Sequence, residues 1–165
     1  AEKNAQEKTR FAAPRVPERK PPATANGSDL SKLSIEELSE RLKEKDRATQ
    51  SKAIGELYRR AGQGDEKAVA EHAEAIYKCL KDGDDATRET AARLLGQIRN
   101  QSAVPTLIDS LEDSNATVRS SAATALTRIT RQLFGPSDNA TPEERKQSVA
   151  RWREWWSKQG KTAAR

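Results

Sequence analysis

Apolar residues recur every three or four positions along most of the chain after residue 34, which is the spacing of one helix face. In the first such segment they are Ile35, Leu38 and Leu42. No segment alternates apolar and polar residues in the way that a half-buried strand does. The pattern therefore predicts an all-helical protein without a β-sheet.

Helix caps and helix breakers divide the periodic region into seven predicted helices. The segments Ser-Ile-Glu-Glu at 34–37 and Thr-Pro-Glu-Glu at 141–144 each fit a capping box, in which a hydroxyl and a carboxylate satisfy two free backbone amides. Gly135-Pro136 is a stop signal. The first predicted helix opens at residue 34, and the others span about 46–61, 65–81, 84–99, 102–111, 115–134 and 141–160.

Two segments of the chain repeat each other at an offset of 31 residues, namely DDATRETAARLL from Asp84 to Leu95 and NATVRSSAATAL from Asn115 to Leu126. A weaker copy, offset by 38, covers 42–57. Each copy joins the end of one helix to a second helix through a tight acidic turn. One such helix pair cannot bury its apolar face alone, so the pairs are expected to stack on a shared core.

Six polar positions of the two stronger copies are predicted to be structural. They are Asp82, Asp84, Arg88, Asp113, Asn115 and Arg119. Asp84 and Asn115 stand at the N-cap of the second helix of a pair, where a short polar side chain accepts hydrogen bonds from free amides. Arg88 and Arg119 follow one turn later, and the acidic turn of the same or the adjoining repeat offers them acceptors.

The segments AVPTLIDSLEDSNATVRSSAATALTRI and LKDGDDATRETAARLLGQI resemble the HEAT repeat family, including its short bacterial form. The resemblance is good over 65–133 and weak over 46–61. It implies a right-handed α-solenoid of about three and a half helical hairpins, whose second helices line a concave surface. It also implies a role in holding other macromolecules, usually proteins, and no catalytic residues.

These boundaries predict three regions of the chain. They are an extended Pro-rich basic arm over 1–30, helical hairpins near 34–61, 65–99 and 102–134 within a repeat region of 31–134, and a tryptophan-rich capping helix over 141–160. Residues 1–28 hold four of the seven prolines, and proline fixes φ and removes an amide donor, so coil or polyproline II is expected there. The arm is interpreted as a solvated linker or, alternatively, as a docking motif. The residues expected to grip a partner in the second case are Arg10, Phe11, Arg15, Arg19 and Lys20.

The net charge of +5 is concentrated at the two ends of the chain. Residues 1–28 carry +3 and 141–165 carry +4, which leaves −2 for the middle. Stacked repeats would place Arg59, Arg93 and Arg128 in one exposed row on the second helices, and this row is the first candidate for a partner-binding groove. A merely solvated face is the alternative. Nearby acidic and hydroxyl side chains argue against a dedicated phosphate track.

The three tryptophans of the chain lie in the last predicted helix. Trp152 and Trp156 are four residues apart and therefore share a face, which suits a cap over the end of the last repeat. Trp155 points about a hundred degrees away from Trp156. Trp155 is therefore the candidate for an exposed aromatic anchor that a partner would contact.

No catalytic, cofactor-binding or metal-binding constellation is evident. His72 and Cys79 are seven residues apart on one predicted helix, which places their Cα atoms about 10 Å from each other, too far for a nucleophile and its base. Cys79 is the sole cysteine, and no glycine-rich phosphate loop is present. A small buried thiol and a half-exposed imidazole are the expected states of these side chains.

The favoured hypothesis is a non-catalytic scaffold for protein–protein interaction, an accessory subunit or assembly factor of a larger hetero-complex with no small-molecule substrate. A nucleic-acid-binding protein is the second possibility, and a lyase-type enzyme with Cys79 as a tether is the third. No run of about twenty apolar residues would span a membrane. We expect a soluble protein, cytoplasmic, or periplasmic if a signal peptide was removed before Ala1.

Overall fold

The computed structural model describes residues 29–137 and 139–162, with side chains through Gln159. Over these residues the chain forms α-helices and no β-strand, as the apolar pattern predicted. The candidate arm contacts Arg10, Phe11, Arg15, Arg19 and Lys20 lie outside the described residues.

The described helices form two layers. The helices are α1 (Ile35–Arg41), α2 (Arg47–Arg60), α3 (Glu66–Ala70), α4 (Ala73–Asp82), α5 (Asp85–Gln97), α6 (Val104–Asp109), α7 (Ala116–Thr130) and α8 (Pro142–Thr162). Helices α2, α5 and α7 pack side by side in an inner layer, while α1, α4, α6 and α8 follow one another in an outer layer. Each of α1, α4 and α6 also packs on the inner helix that follows it. The result is a stack of helical hairpins, an α-solenoid, in which α8 lies beside α6 as the first helix of a fourth pair would.

Side-chain caps begin the helices at the predicted residues. At α1 the amide of Glu37 donates to Ser34 Oγ at 3.1 Å, and the amide of Ser34 donates to Glu37 Oε2 at 2.8 Å, which completes a capping box. Asp46, Asp84 and Asn115 accept backbone hydrogen bonds at the starts of α2, α5 and α7. The turn before each inner helix is therefore set by local hydrogen bonds.

The third predicted helix, over 65–81, is broken in the structure into α3 and α4. The break is a tight turn in which His72 N donates to Val69 O at 3.1 Å and Ala75 N donates to His72 O at 3.2 Å. These bonds replace the usual helical pattern at that point. The expectation of one continuous helix was wrong because the apolar positions Val69, Ala73 and Ile76 keep their helical spacing across the break.

The sixth predicted helix ends at Thr130, four residues earlier than the expected end at Phe134. Arg131 adopts a left-handed conformation with φ of 63°, and its amide donates to Thr127 O at 2.9 Å. The chain then crosses the end of the inner layer, and the Phe134 ring packs on Trp152 at a centroid distance of 4.9 Å. Tertiary packing of Phe134 thus overrides the helical spacing of the sequence.

One apolar core lies between the two layers. Its largest fully buried side chains are Leu38, Leu42, Ile54, Leu57, Ile76, Leu94, Leu95, Leu107, Ile108, Leu111, Leu126 and Trp152. Each such side chain stabilises the fold by about 1.5–3 kcal/mol relative to exposure. Gly96 lies so close to α7 that an added Cβ would be 2.7 Å from Ala125 Cα. Small residues therefore set the close approach of α5 and α7.

Candidate partner-binding surfaces

Arg88 joins the second hairpin to the third through a bidentate ion pair. Its Nε donates to Asp113 Oδ2 and its Nη2 donates to Asp113 Oδ1, both at 2.9 Å. Its Nη1 donates to Gly83 O at 3.0 Å. The side chains of Arg88 and Asp113 are only 16% and 14% exposed. This arrangement is a structural clamp between adjacent repeats, because both ends of the guanidinium are occupied by the protein itself.

Ion pairing affects the protonation of Asp113. Partial burial raises the pKa of this carboxyl group, but hydrogen bonds from Arg88 and from the Asn115 amide lower the pKa more. The net pKa of Asp113 lies below the ordinary carboxyl value. The clamp therefore stays charged across the neutral pH range.

The clamp does not recur at the equivalent positions of the other repeats. Arg119 Nη1 donates to the carbonyls of Asp113 and Ser114, both at 2.8 Å; it lies within 4 Å of no described carboxylate, although its charge contributes to lowering the pKa of Asp113. In the first repeat Gln50 takes the place of the arginine and donates to two carbonyls of its own turn. The Asp82 side chain is exposed, although the Asp82 carbonyl accepts a hydrogen bond from Arg47.

We expect the substitution Asp113→Asn to lower the free energy of unfolding by about 1–2 kcal/mol near neutral pH, because Arg88 loses a charged acceptor. A lowered folded-state pKa gives stability that is present above the unfolded pKa of about 4 and is lost as pH falls through the folded value. The difference between wild type and variant should therefore shrink below about pH 4. Urea unfolding of wild type and variant, at neutral pH and below about pH 4, measures this difference in the free energy of unfolding.

The exposed Asp82 provides the matched control for this experiment. Asp82→Asn removes the same charge at the equivalent repeat position without breaking an ion pair, so we expect a change within about 0.5 kcal/mol. Equal effects of the two substitutions would show that the clamp contributes no stability of its own.

The arginines of the predicted inner row are held in different ways. Arg59 is exposed and binds Glu56 through Nε at 2.8 Å and Nη2 at 2.6 Å, while Arg60 Nε donates to the same carboxylate at 3.0 Å. Hydrogen bonds from Arg59, together with those from Arg60 and only partly offset by burial, lower the pKa of Glu56 to about 2. Local ion pairs thus balance the positive charge at this end of the row.

Arg93 links α5 to α2 across the inner face. Its guanidinium carbon lies 4.7 Å from the centroid of the Tyr58 ring, and its Nη2 donates to Tyr58 Oη at 3.1 Å. Glu89 lies 3.7 Å from Arg93 Nη1. The cation–π contact and the hydrogen bond hold two large side chains in one geometry on a solvent-facing surface.

Arg128 differs from the other two members of the row. It is exposed on α7 and forms no ion pair with the described residues. It lines an open groove of about 490 Å³ between α7 and the segment 133–137. The structure thus leaves the charge of the row unbalanced at this third position.

Trp155 is half-buried, so the prediction of an exposed aromatic anchor is corrected. Its ring lies 6.1 Å from Phe134, 6.0 Å from Trp152 and 6.1 Å from Trp156, measured between centroids. The physical reason is the early end of α7, which brings Phe134 back onto the tryptophan helix. Trp152 is fully buried, and its Nε1 donates to Gly135 O at 2.9 Å.

Leu133, which the sequence reasoning did not select, is 82% exposed. It is the sole large apolar side chain with high exposure in the described part of the chain. The apolar spacing placed it on the end of the sixth predicted helix, so no local signal indicated exposure. Only the early helix end after Thr130 turns Leu133 toward solvent.

Burial disfavours a reactive thiolate at Cys79. Cys79 is 3% exposed and lies in the core, with its Sγ 4.0 Å from Leu42 O. Burial raises the pKa of the Cys79 thiol to about 11, so a reactive thiolate is scarce at neutral pH. No group of three or more metal-ligating side chains is found among the described residues. None of the helices in the described ranges is long and apolar enough to cross a membrane.

The repeat geometry agrees with the comparison to known families. The model of the family described as HEAT repeats matches residues 73–139, which include α4 to α7. This match covers less than half of the chain and supports HEAT repeats in the region of α4 to α7. HEAT repeats are generally scaffold modules for protein interaction and are typically non-catalytic. No curated protein matches the sequence.

Proposed function

We propose that this protein is a non-catalytic scaffold that binds a protein partner through the inner-layer face and acts as an accessory subunit or assembly factor of a hetero-complex. The observation that carries the proposal is the pair Tyr58 and Arg93, held together on the exposed face of α2 and α5. Tyrosine and arginine are enriched among the residues that dominate binding energy at protein interfaces.

The side chains of this surface are already ordered before binding, which supports its role as the binding surface. Arg59 is fixed by Glu56, and Arg93 by Tyr58, so each side chain has already lost much of its rotational freedom before a partner arrives. Binding then requires less ordering of the surface, which favours affinity. Local pairing with Glu56 and Glu89 also lowers the net charge of this face, which favours a protein over a phosphate backbone.

Affinity capture with quantitative mass spectrometry tests this role on the full chain. We expect the double variant Arg59→Ala/Arg93→Ala to recover its specific partner at least about tenfold less well than wild type, as for the loss of interface hot spots. The matched control is Lys78→Ala/Lys81→Ala, which removes two exposed cations from the outer helix α4. Equal recovery by both double variants would contradict the proposal.

The arm belongs to the same proposal. We propose that the arm, residues 1–28, also binds the partner, through Arg10, Phe11, Arg15, Arg19 and Lys20. A chain that lacks the arm is expected to melt like wild type but to capture less partner.

A further inference from the structure

Most arginines at the C-terminal end of the described chain have no carboxylate partner among the described residues. Five of the seven described arginines before residue 114 lie within 4 Å of a described acidic group, namely Arg41, Arg59, Arg60, Arg88 and Arg93, whereas Arg47 and Arg99 do not. After that point only Arg153 does so, through Asp109 and Glu112. The described arginines of this part that form no ion pair with another described residue are Arg119, Arg128, Arg131, Arg145 and Arg151; Asp138 lies outside the described residues.

Four of these arginines surround the segment 133–137, which we call the end loop. Arg119 and Arg145 line one cavity, Arg128 a second and Arg151 a third. All three cavities share Pro136 and Ser137 as walls. The grooves that contain Arg128 and Arg151 also share Leu133 and measure about 490 and 560 Å³. The exposed Leu133 therefore shares one groove with Arg128 and another with Arg151.

Backbone contacts hold several of these guanidinium groups in place. Arg145 Nη1 donates to Ala140 O at 2.6 Å. Arg151 Nη2 donates to Phe134 O at 3.2 Å and to Ser148 Oγ at 3.0 Å. An arginine has five N–H donors, so each of these side chains is anchored and still has donors for a ligand. Anchored donors lower the ordering cost of binding.

The repeat itself indicates the chemistry of the missing partner. Arg88 of α5 binds the carboxylate of Asp113 in the next repeat, and its counterpart Arg119 forms no ion pair with a described residue. The flank of α5 that carries Gly96 is covered by α7, whereas the equivalent flank of α7, with Ala123 and Thr127, lines an open groove. In the repeat before, this kind of surface on α5 is covered by the acidic turn and the inner helix of the next repeat. On α7, at the end of the inner layer, the equivalent surface is open.

The distribution of charge points in the same direction. Residues 29–113 carry 14 basic and 18 acidic side chains, a net charge of −4. Residues 114–162 carry nine basic and four acidic side chains, a net charge of +5. An acidic segment is attracted to the second region and repelled by the first, which favours this end of the molecule.

We infer that the grooves around the end loop bind an acidic amphipathic helix of a partner protein. Carboxylates of that helix pair with Arg119 and Arg128, and an apolar side chain packs on Leu133 beside Ala123. The inference rests on the proposed protein-binding role and adds to it the place and the chemistry of a contact. The inner pair Tyr58 and Arg93 is a separate part of the surface.

Two other occupants fit less well. Stacking on nucleic acid needs exposed aromatic rings, and Trp155 and Trp156 are half-buried. A second copy stacked end to end would have to place its first hairpin here, but the turn Leu30–Lys32 packs on α2 at that end. Arg60 Nη2 donates to Ser31 O at 2.8 Å and fastens the turn.

Fluorescence anisotropy with synthetic peptides tests the inference on the full chain. The probes are three amphipathic helical peptides of equal length and identical apolar residues, whose polar positions are glutamate, glutamine or lysine. We expect the glutamate peptide to bind at least about tenfold more tightly than the glutamine peptide, as for complementary charges at an interface, and the lysine peptide not to bind. Equal binding of all three peptides would overturn the inference.

Variants locate the binding site. Leu133→Ser and Arg128→Ala alter exposed side chains, so we expect an unchanged melting curve and a loss of affinity for the glutamate peptide of about five- to tenfold each. Arg99→Ala is the control, because Arg99 is exposed, lacks a carboxylate partner among the described residues and does not line the end-loop grooves. An equal loss of affinity with Arg99→Ala would show that binding depends only on the overall positive charge, and it would overturn the inference.

Two further measurements separate the alternatives. A single-stranded oligonucleotide that binds as tightly as the glutamate peptide, and loses affinity with Arg128→Ala, would assign the arginines to nucleic acid instead. A concentration-dependent dimer that Leu133→Ser dissociates would assign the groove to a second copy. If the peptides show no charge preference but Arg59→Ala/Arg93→Ala still abolishes partner capture, this inference fails and the proposed function stands.

Discussion

Replacing Trp152 with alanine is expected to lower the free energy of unfolding by about 3–5 kcal/mol, the usual cost of truncating a buried aromatic residue. Trp152 is fully buried, packs edge-to-face on Phe134 at 4.9 Å and donates its indole N–H to Gly135 O. The substitution removes both of these contacts and leaves a buried cavity. Urea unfolding followed by circular dichroism measures the loss.

Trp155→Ala serves as the matched control, because it removes the same type of side chain from a half-buried position about one helical turn further along α8. We expect it to cost clearly less than Trp152→Ala, since part of the Trp155 surface already faces water, whereas Trp152 is fully buried. Limited proteolysis adds a local readout, with cleavage in α8 and the end loop rising for Trp152→Ala. A Trp155→Ala variant that is as unstable as Trp152→Ala would contradict the assignment of Trp152 as the anchor of α8.

Gly96→Ala is expected to lower the free energy of unfolding by at least about 2 kcal/mol, although alanine favours a helix by about 1 kcal/mol over glycine. The added Cβ would lie 2.7 Å from Ala125 Cα and 2.8 Å from Ala125 Cβ, so the backbones of α5 and α7 must move apart. That movement would also lengthen the bond between Arg88 and Asp113. Urea unfolding with a check for an unchanged m-value measures the effect.

Gly55→Ala is the control for this substitution. Gly55 lies inside α2, and an added Cβ would meet nothing within 4 Å. The same change there should raise stability by about 0.5–1 kcal/mol through helix propensity alone. Destabilisation by Gly55→Ala, or stabilisation by Gly96→Ala, would show that the close approach of α5 and α7 does not limit the size of residue 96.

Local signals in the sequence were sufficient to predict the hairpin stack. Capping residues and the offset of 31 between Asp84 and Asn115 placed α5 and α7 in equivalent positions, and caps depend on residues within one turn. The break at His72 was not predictable in this way, because no proline or glycine marks it and the apolar spacing continues. The early end of α7 depends on Phe134 reaching Trp152, a contact between residues 18 positions apart.

The candidate surfaces were predicted only in part, for the same reason. Arg59, Arg93 and Arg128 are exposed on the inner helices, where the repeat period placed them. Their differing partners could not be read from the pattern, since the contact between Arg93 and Tyr58 crosses from one helix to the next. Leu133 and the unpaired arginines around it depend on the path of the end loop, which has no periodic signal.

The uneven distribution of the arginine–aspartate clamp makes the rod unequally stiff along its length. A bidentate ion pair ties the second hairpin to the third. At the junction of the first and second hairpins Gln50 replaces the arginine, and the polar contacts are those of Arg47 with a carbonyl and of Arg93 with Tyr58, without an ion pair between the described residues of the two hairpins. Bending under load should therefore concentrate at the first junction, between α2 and α5. A partner that contacts both Tyr58 on α2 and Arg93 on α5 would stiffen this junction.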